Sequence, residues 1–280
     1  MPPKANASSP ANLLQARSVS QTLPPVRESG QALRVLSAHR RALNLEDEQG
    51  RILAVVTPEA GDGPFHIVLT REIALNLAAP GAQAWREGTT LTLADWIVDW
   101  AQARRWHPGL TPATIPAQSL ARLSDCVRAN ERFQERMTGI DGRSASRLQQ
   151  GAIMVAAGAV TGDEEALQAG VALLMGLGPG LTPAGDDYLL GALARLHLDA
   201  AAPDVSALAR YVAANAPRTT KLSRAWLLHG VQARFDARWH ALQKAMSSGR
   251  AHDICRTARA ILAVGATSGP LSMAGFLLRP

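Results

Sequence analysis

From residue 118 almost to its C-terminus the chain is a series of helix-compatible apolar stripes joined by short connections. SLARLSDCVRANERFQERM places Leu120, Leu123, Val127 and Phe133 at roughly helical spacing. SASRLQQGAIMVAAGAV, DEEALQAGVALLMG, YLLGALARLHL, DVSALARYVAANA, LSRAWLLHGVQARF, RWHALQKAMSS and ICRTARAILAVG follow without a fixed period. An amphipathic helix must bury its apolar stripe against a neighbour, and short links make that neighbour the next helix. This part therefore predicts a compact bundle and not a repeat array.

Residues 32–70 have the other periodicity. Short apolar runs are split by DEQG and EAGDG, both turn compositions. RALNL–EDEQG–RILAVV reads as a hairpin, and FHIVL as a further strand reached through Gly63 and Pro64. EGTTLTLADWIVDW predicts one more strand and then a short helix starting near Thr92. The expected fold is α+β: a small N-terminal β-rich domain, 32–110, then a larger all-helical bundle, 111–280, opening on the linker TPATIPAQ. Residues 1–31 are expected to be a disordered tail.

The tail holds no apolar core of signal-peptide length, and no apolar run reaches 18 residues, so the expectation is a soluble, cytoplasmic protein with no membrane partner. Cys126 and Cys255 belong to no CxxC or Cys/His cluster and are expected as reduced, buried thiols. The net charge of +6 is nearly all arginine, scattered among acids without interleaved aromatics. That pattern argues against a nucleic-acid partner and is compatible with a site for small anions.

GLGPGLTPAGDD, residues 176–187, carries more than a helix connection needs. Thr182 and Pro183 read as a cap with proline at the first helical position, and Asp186 and Asp187 fall in the first turn. A carboxylate there complements the helix dipole by about 0.3–1 kcal/mol, which accounts for one aspartate but not for Gly178, Gly180 and Gly185. Adjacent helical positions diverge by about 100°. Asp186 shares a stripe with Leu189, Leu190 and Leu193, and Asp187 one with Leu190, Gly191 and Ala194. At least one carboxylate must then face packed surface, where it needs a donor array, a cationic substrate group or a metal. Mg²⁺ is the ion such a pair could take, and no other cofactor is implied.

Two further helix starts resemble this one. PRTTKLSR sets Thr219, Thr220 and Ser223 among Arg218, Lys221 and Arg224, and GATSGP sets Thr267 and Ser268 before Gly269 and Pro270. If the three N-termini converge, they form a pocket of N–H and O–H donors facing an acidic pair.

GLGPGLTPAGDDYLLG, RTTKLS, GATSGPLSMAGFLL and the strand segment GPFHIVL resemble the signature segments of a bacterial family. That family includes a subunit of the oxamate carbamoyltransferase of anaerobic allantoin breakdown. The resemblance runs over roughly residues 34–278. It implies a transferase subunit acting beside acyl-CoA-synthetase-like partner subunits, on a small anionic substrate, moving a carbamoyl group between oxalurate and phosphate. No catalytic assignment comes with the family; the motifs themselves lead us to expect catalytic roles for Asp186 and Asp187, with substrate bound by Gly178, Gly180, Thr182, Gly185, Thr219, Thr220, Ser223, Thr267 and Ser268. Two alternatives stand beside it: a non-catalytic ligand-binding scaffold in such a complex, and a Mg²⁺-dependent enzyme handling phosphate or nucleotide.

Overall fold

A computed structural model describes residues 12–26, 29–138 and 142–278. The chain divides into two compact units, residues 1–108 and 109–280.

Among its described residues the first unit has nine strands: β1 (Asn12–Ser20), β2 (Gln31–Ala38), β3 (Ala42–Asp47), β4 (Ile52–Val56), β5 (His66–Leu69), β6 (Gln83–Glu87), β7 (Thr90–Leu93), β8 (Trp96–Asp99) and β9 (Arg104–Trp106). Their order is β5-β4-β3-β2-β6-β7-β8-β1, and a further β1–β5 pairing closes the sheet into an eight-stranded barrel, with β9 added beside β1. β1 is the closing stave. It pairs parallel with β8 through Asn12–Gln15 and with β9 through Ser18–Ser20, while Ala16, Ser18 and Val19 run antiparallel to β5. Closure leaves no long unpaired edge along those staves. The interior is filled by Leu14, Val35, Leu45, Leu53, Val55, Ile67, Leu69, Leu91, Val98 and Trp100.

The expected α+β description is corrected here. The first unit is a closed barrel, and it starts inside the segment expected as a disordered tail, since Asn12–Ser20 is a barrel strand; residues 1–11 and 27–28 lie outside the described residues. The expected helix near Thr92 is instead the β7–β8 hairpin, turning at Ala94 with φ +49°. Leu91 and Leu93 are buried while Thr90 and Thr92 are only partly so, a period-2 pattern. The hairpin over β3 and β4 and the strand at His66–Leu69 form where the sequence places them.

The second unit contains α1 (Ala117–Arg128), α2 (Glu131–Thr138), α3 (Gly142–Thr161), α4 (Glu164–Leu174), α5 (Ala184–Leu198), α6 (Ser206–Asn215), α7 (Lys221–Val231), α8 (Ala237–Ser248), α9 (Ala251–Leu262) and α10 (Ser268–Phe276), with a 3₁₀ turn at Ala216–Arg218. Among the described residues no helix is long and apolar enough to cross a membrane. α5 is its axis, with Tyr188, Leu189, Ala192, Leu193, Ala194 and Leu198 all buried. A fully buried leucine contributes about 1.5–3 kcal/mol, so such an element is anchored along its length.

α5 and α10 approach until their backbones touch. A Cβ on Gly191 would lie 1.8 Å from the Ser272 carbonyl oxygen, and one on Gly275 1.9 Å from that of Tyr188. These two glycines let the helices lock together, which fixes α10's first turn against that of α5.

Cys126 and Cys255 form a disulfide between α1 and α9, with their Cα atoms 5.4 Å apart. This overturns the expectation of reduced thiols. A separation of 129 residues says nothing of proximity, and only the packing of α1 on α9 brings the two together.

Candidate functional site

The first turns of α5, α7 and α10 meet. The loop Met175–Pro183, carrying most of GLGPGLTPAGDD, leads into α5 and is shaped by glycines in the left-handed region. Gly176 has φ +71°, and a Cβ there would lie 3.0 Å from the Arg218 carbonyl oxygen, so this loop passes against the backbone before α7. Gly178 has φ +112°, with its missing Cβ 3.0 Å from the Ala184 nitrogen. Gly180 has φ +97° and open space around it. Gly185 is helical, and a side chain would strike the Leu174 carbonyl at 2.0 Å. Gly178 and Gly185 thus have packing reasons of their own, whereas at Gly180 the backbone conformation alone selects glycine.

Thr182 is not the cap of α5. The cap position is Pro183, whose carbonyl accepts from the N–H groups of Asp186 at 3.0 Å and Asp187 at 3.1 Å, while the Gly185 N–H donates to Leu177 at 2.9 Å. The Thr182 hydroxyl instead meets the Ser268 hydroxyl of α10 at 2.9 Å. Thr220 is the cap of α7, accepting from the Ser223 N–H at 3.1 Å and donating its own hydroxyl to the Leu181 carbonyl. Thr267 takes the cap position of α10 without a side-chain capping bond.

Both aspartates are buried, Asp186 at 1% exposure and Asp187 at 5%. Their surroundings differ. Asp186 Oδ1 accepts the Gly176 N–H at 2.8 Å, and its Oδ2 accepts the Ser223 hydroxyl at 2.7 Å and the Thr219 hydroxyl. These donors join the glycine loop, α5 and the start of α7 at one carboxyl. Burial pushes the Asp186 pKa upward, and those three hydrogen bonds oppose the push.

Asp187 has less help. Burial holds its pKa well above the usual carboxylate range, the Asp186 charge adds to that, and a hydrogen bond from Ser268 works against it. Ser268 has one proton, so giving it to Asp187 leaves the serine oxygen to accept from Thr182. The hydroxyls then form a relay from Thr182 through Ser268 to Asp187. Asp187 Oδ2 is buried and has no hydrogen-bond partner.

The structure therefore brings Asp186, Asp187, Thr182, Thr219, Thr220, Ser223 and Ser268 into one network spanning three helix starts. Thr267 contributes backbone only, its carbonyl accepting from Leu271 at 3.1 Å. Sequence reasoning passed over Gly176, whose N–H is a ligand of Asp186, although its place in the motif was a usable signal. It also passed over Arg132 of α2, which donates to the Gly265 carbonyl in the loop before α10. No spacing rule connects positions 133 residues apart. Among the described residues no group of three His, Cys, Asp or Glu side chains is placed to hold a metal ion.

No curated protein and no solved structure is significantly similar to this chain. Residues 174–279, which contain all three helix starts, match the family model described as oxamate carbamoyltransferase subunit AllH, and the barrel lies outside the match. The likeness to that family is therefore confined to the segment that carries the three helix starts.

Proposed function

We propose that the junction of α5, α7 and α10 is the ligand site of an oxamate carbamoyltransferase subunit and that Asp187 is the group meeting the reacting carbamoyl unit. One observation carries this reading: Asp187 Oδ2 is buried without a partner where three helix N-termini meet. An orphaned buried oxygen is costly to a fold, on the order of 1–3 kcal/mol, and a bound ligand would relieve it. Asp186, with every oxygen occupied, acts as the fastener that keeps the helix starts together.

In the direction that makes oxamate, a phosphate oxygen attacks the carbamoyl carbon of oxalurate. The bond from that carbon to the oxamate nitrogen breaks, and the nitrogen takes a proton. Dihydrogen phosphate and oxalurate give carbamoyl phosphate and oxamate, with atoms and charge balanced. A carboxyl whose pKa burial holds well above the usual carboxylate range is suited to give a proton to the leaving nitrogen and to regain one from the attacking phosphate. The positive ends of the helix dipoles favour the anionic parts of both reactants.

The test is thermal unfolding of the full-length chain with oxamate and with carbamoyl phosphate. At about a hundredfold excess over Kd, binding adds about 2.7 kcal/mol, or roughly 5–11 °C. Asp187→Ala should abolish the shift, and Asp187→Asn, which retains a donor of the same shape, should keep it. An undiminished shift in Asp187→Ala would overturn the assignment. No shift in the wild-type chain would move the ligand to a partner subunit and make this chain a scaffold.

A further inference from the structure

We infer that Arg132, on α2 and outside the segment that matches the family, is a positioning residue that fixes the start of α10 so that the Ser268 hydroxyl meets Asp187. The inference rests on the reading of Asp187 given above.

α2 is started by Asn130, whose side chain accepts from the Phe133 N–H at 3.1 Å, so Arg132 stands in a capped first turn. α2 packs on α10, and the Arg132 guanidinium donates to the carbonyl of Gly265. Gly265 is the hinge of the connection between α9 and α10. It has φ +58°, and a Cβ there would lie 3.1 Å from Ser268 Oγ and 3.3 Å from Ser268 Cβ. The residue that Arg132 grips therefore lies so close to the side chain serving Asp187 that a Cβ would crowd it. Arg132 bonds to Gly265, Gly265 lies beside Ser268, and Ser268 bonds to both Thr182 and Asp187. A second tie within the same loop is the Gly269 N–H bond to the Val264 carbonyl at 3.0 Å, which reports whether the loop is closed.

Charge-assisted bonds to a carbonyl are roughly twice as strong as neutral ones, so a guanidinium is suited to hold a loop that turns at a glycine. Arg132 Nε is also buried without an acceptor. The side chain is thus placed for its contact at Gly265 and not by complete satisfaction of its own donors.

The experiment pairs amide hydrogen exchange with oxamate binding on the full-length chain, comparing wild type, Arg132→Gln, Arg132→Lys and Gly265→Ala. Arg132→Gln should speed exchange at Gly269 about tenfold and weaken oxamate binding about tenfold. Arg132→Lys, which keeps a charged donor, should restore most of both. Gly265→Ala, which disturbs the same loop from its other side, should reproduce the loss of affinity and keeps the idea testable should Arg132→Gln fail to fold. Unchanged exchange in Arg132→Gln would overturn the inference, as would faster exchange with unaltered oxamate affinity. If the wild-type chain binds no oxamate, the Asp187 reading fails separately, and exchange at Gly269 still decides whether Arg132 holds the loop.

Discussion

At Asp186 a backbone N–H and two hydroxyls converge on one carboxyl; at Asp187, the next residue, a single serine answers and one oxygen is left over. The difference has a measurable pH signature. Burial raises the folded-state pKa of Asp187, so between the ordinary carboxylate value and that raised value the folded chain binds the extra proton. Stability from this group is therefore fullest at low pH and falls as pH rises through the window. Asp187→Asn removes the titration. In urea unfolding at a series of pH values, it should match the wild type near pH 4 and gain on it towards neutrality, and a constant difference across pH would contradict the assignment. The stripe argument on α5 requires at least one of the two aspartates to face packed surface, and in the structure both are buried. Which one keeps an unpartnered oxygen was not legible, because that depends on Thr219, Ser223 and Ser268, which reach the pair from α7 and α10.

At the scale of elements, the helical series of the second unit was readable because each stripe is local, and the β3–β4 hairpin because its turn is. The β7–β8 hairpin was misread because ADWIVDW satisfies a helical pattern when its partners are ignored. β1 escaped for a related reason. NLLQARSVS is too mixed to announce a strand, and only pairing with β5, β8 and β9 makes it one. The disulfide is an element-scale device in the same sense. It ties α9, which leads into the Gly265 loop, to α1, which leads into α2 and Arg132. A bond closing a loop of this length removes much of the unfolded chain's freedom, typically about 2–4 kcal/mol. Thermal scans with and without a dithiol should show the helical unit melting roughly 4–16 °C lower when the bond is reduced. An unaltered midpoint, with both thiols titrated as free, would show that the staple adds nothing.

For the whole molecule, the family match and the three helix starts lie in the second unit, and the barrel is an additional body outside the matched segment. The family model that residues 174–279 match is described as that of a subunit, so the proposed reaction is to be tested on an assembly of this chain with partner subunits. The most direct measurement is steady-state formation of carbamoyl phosphate from oxalurate and phosphate by the assembled complex containing wild-type or Asp187→Asn chain. Loss of a proton donor predicts kcat lower by about 10²–10⁴-fold with KM within a few-fold. Wild-type kcat in the Asp187→Asn complex would contradict the account and place the proton transfer on another group.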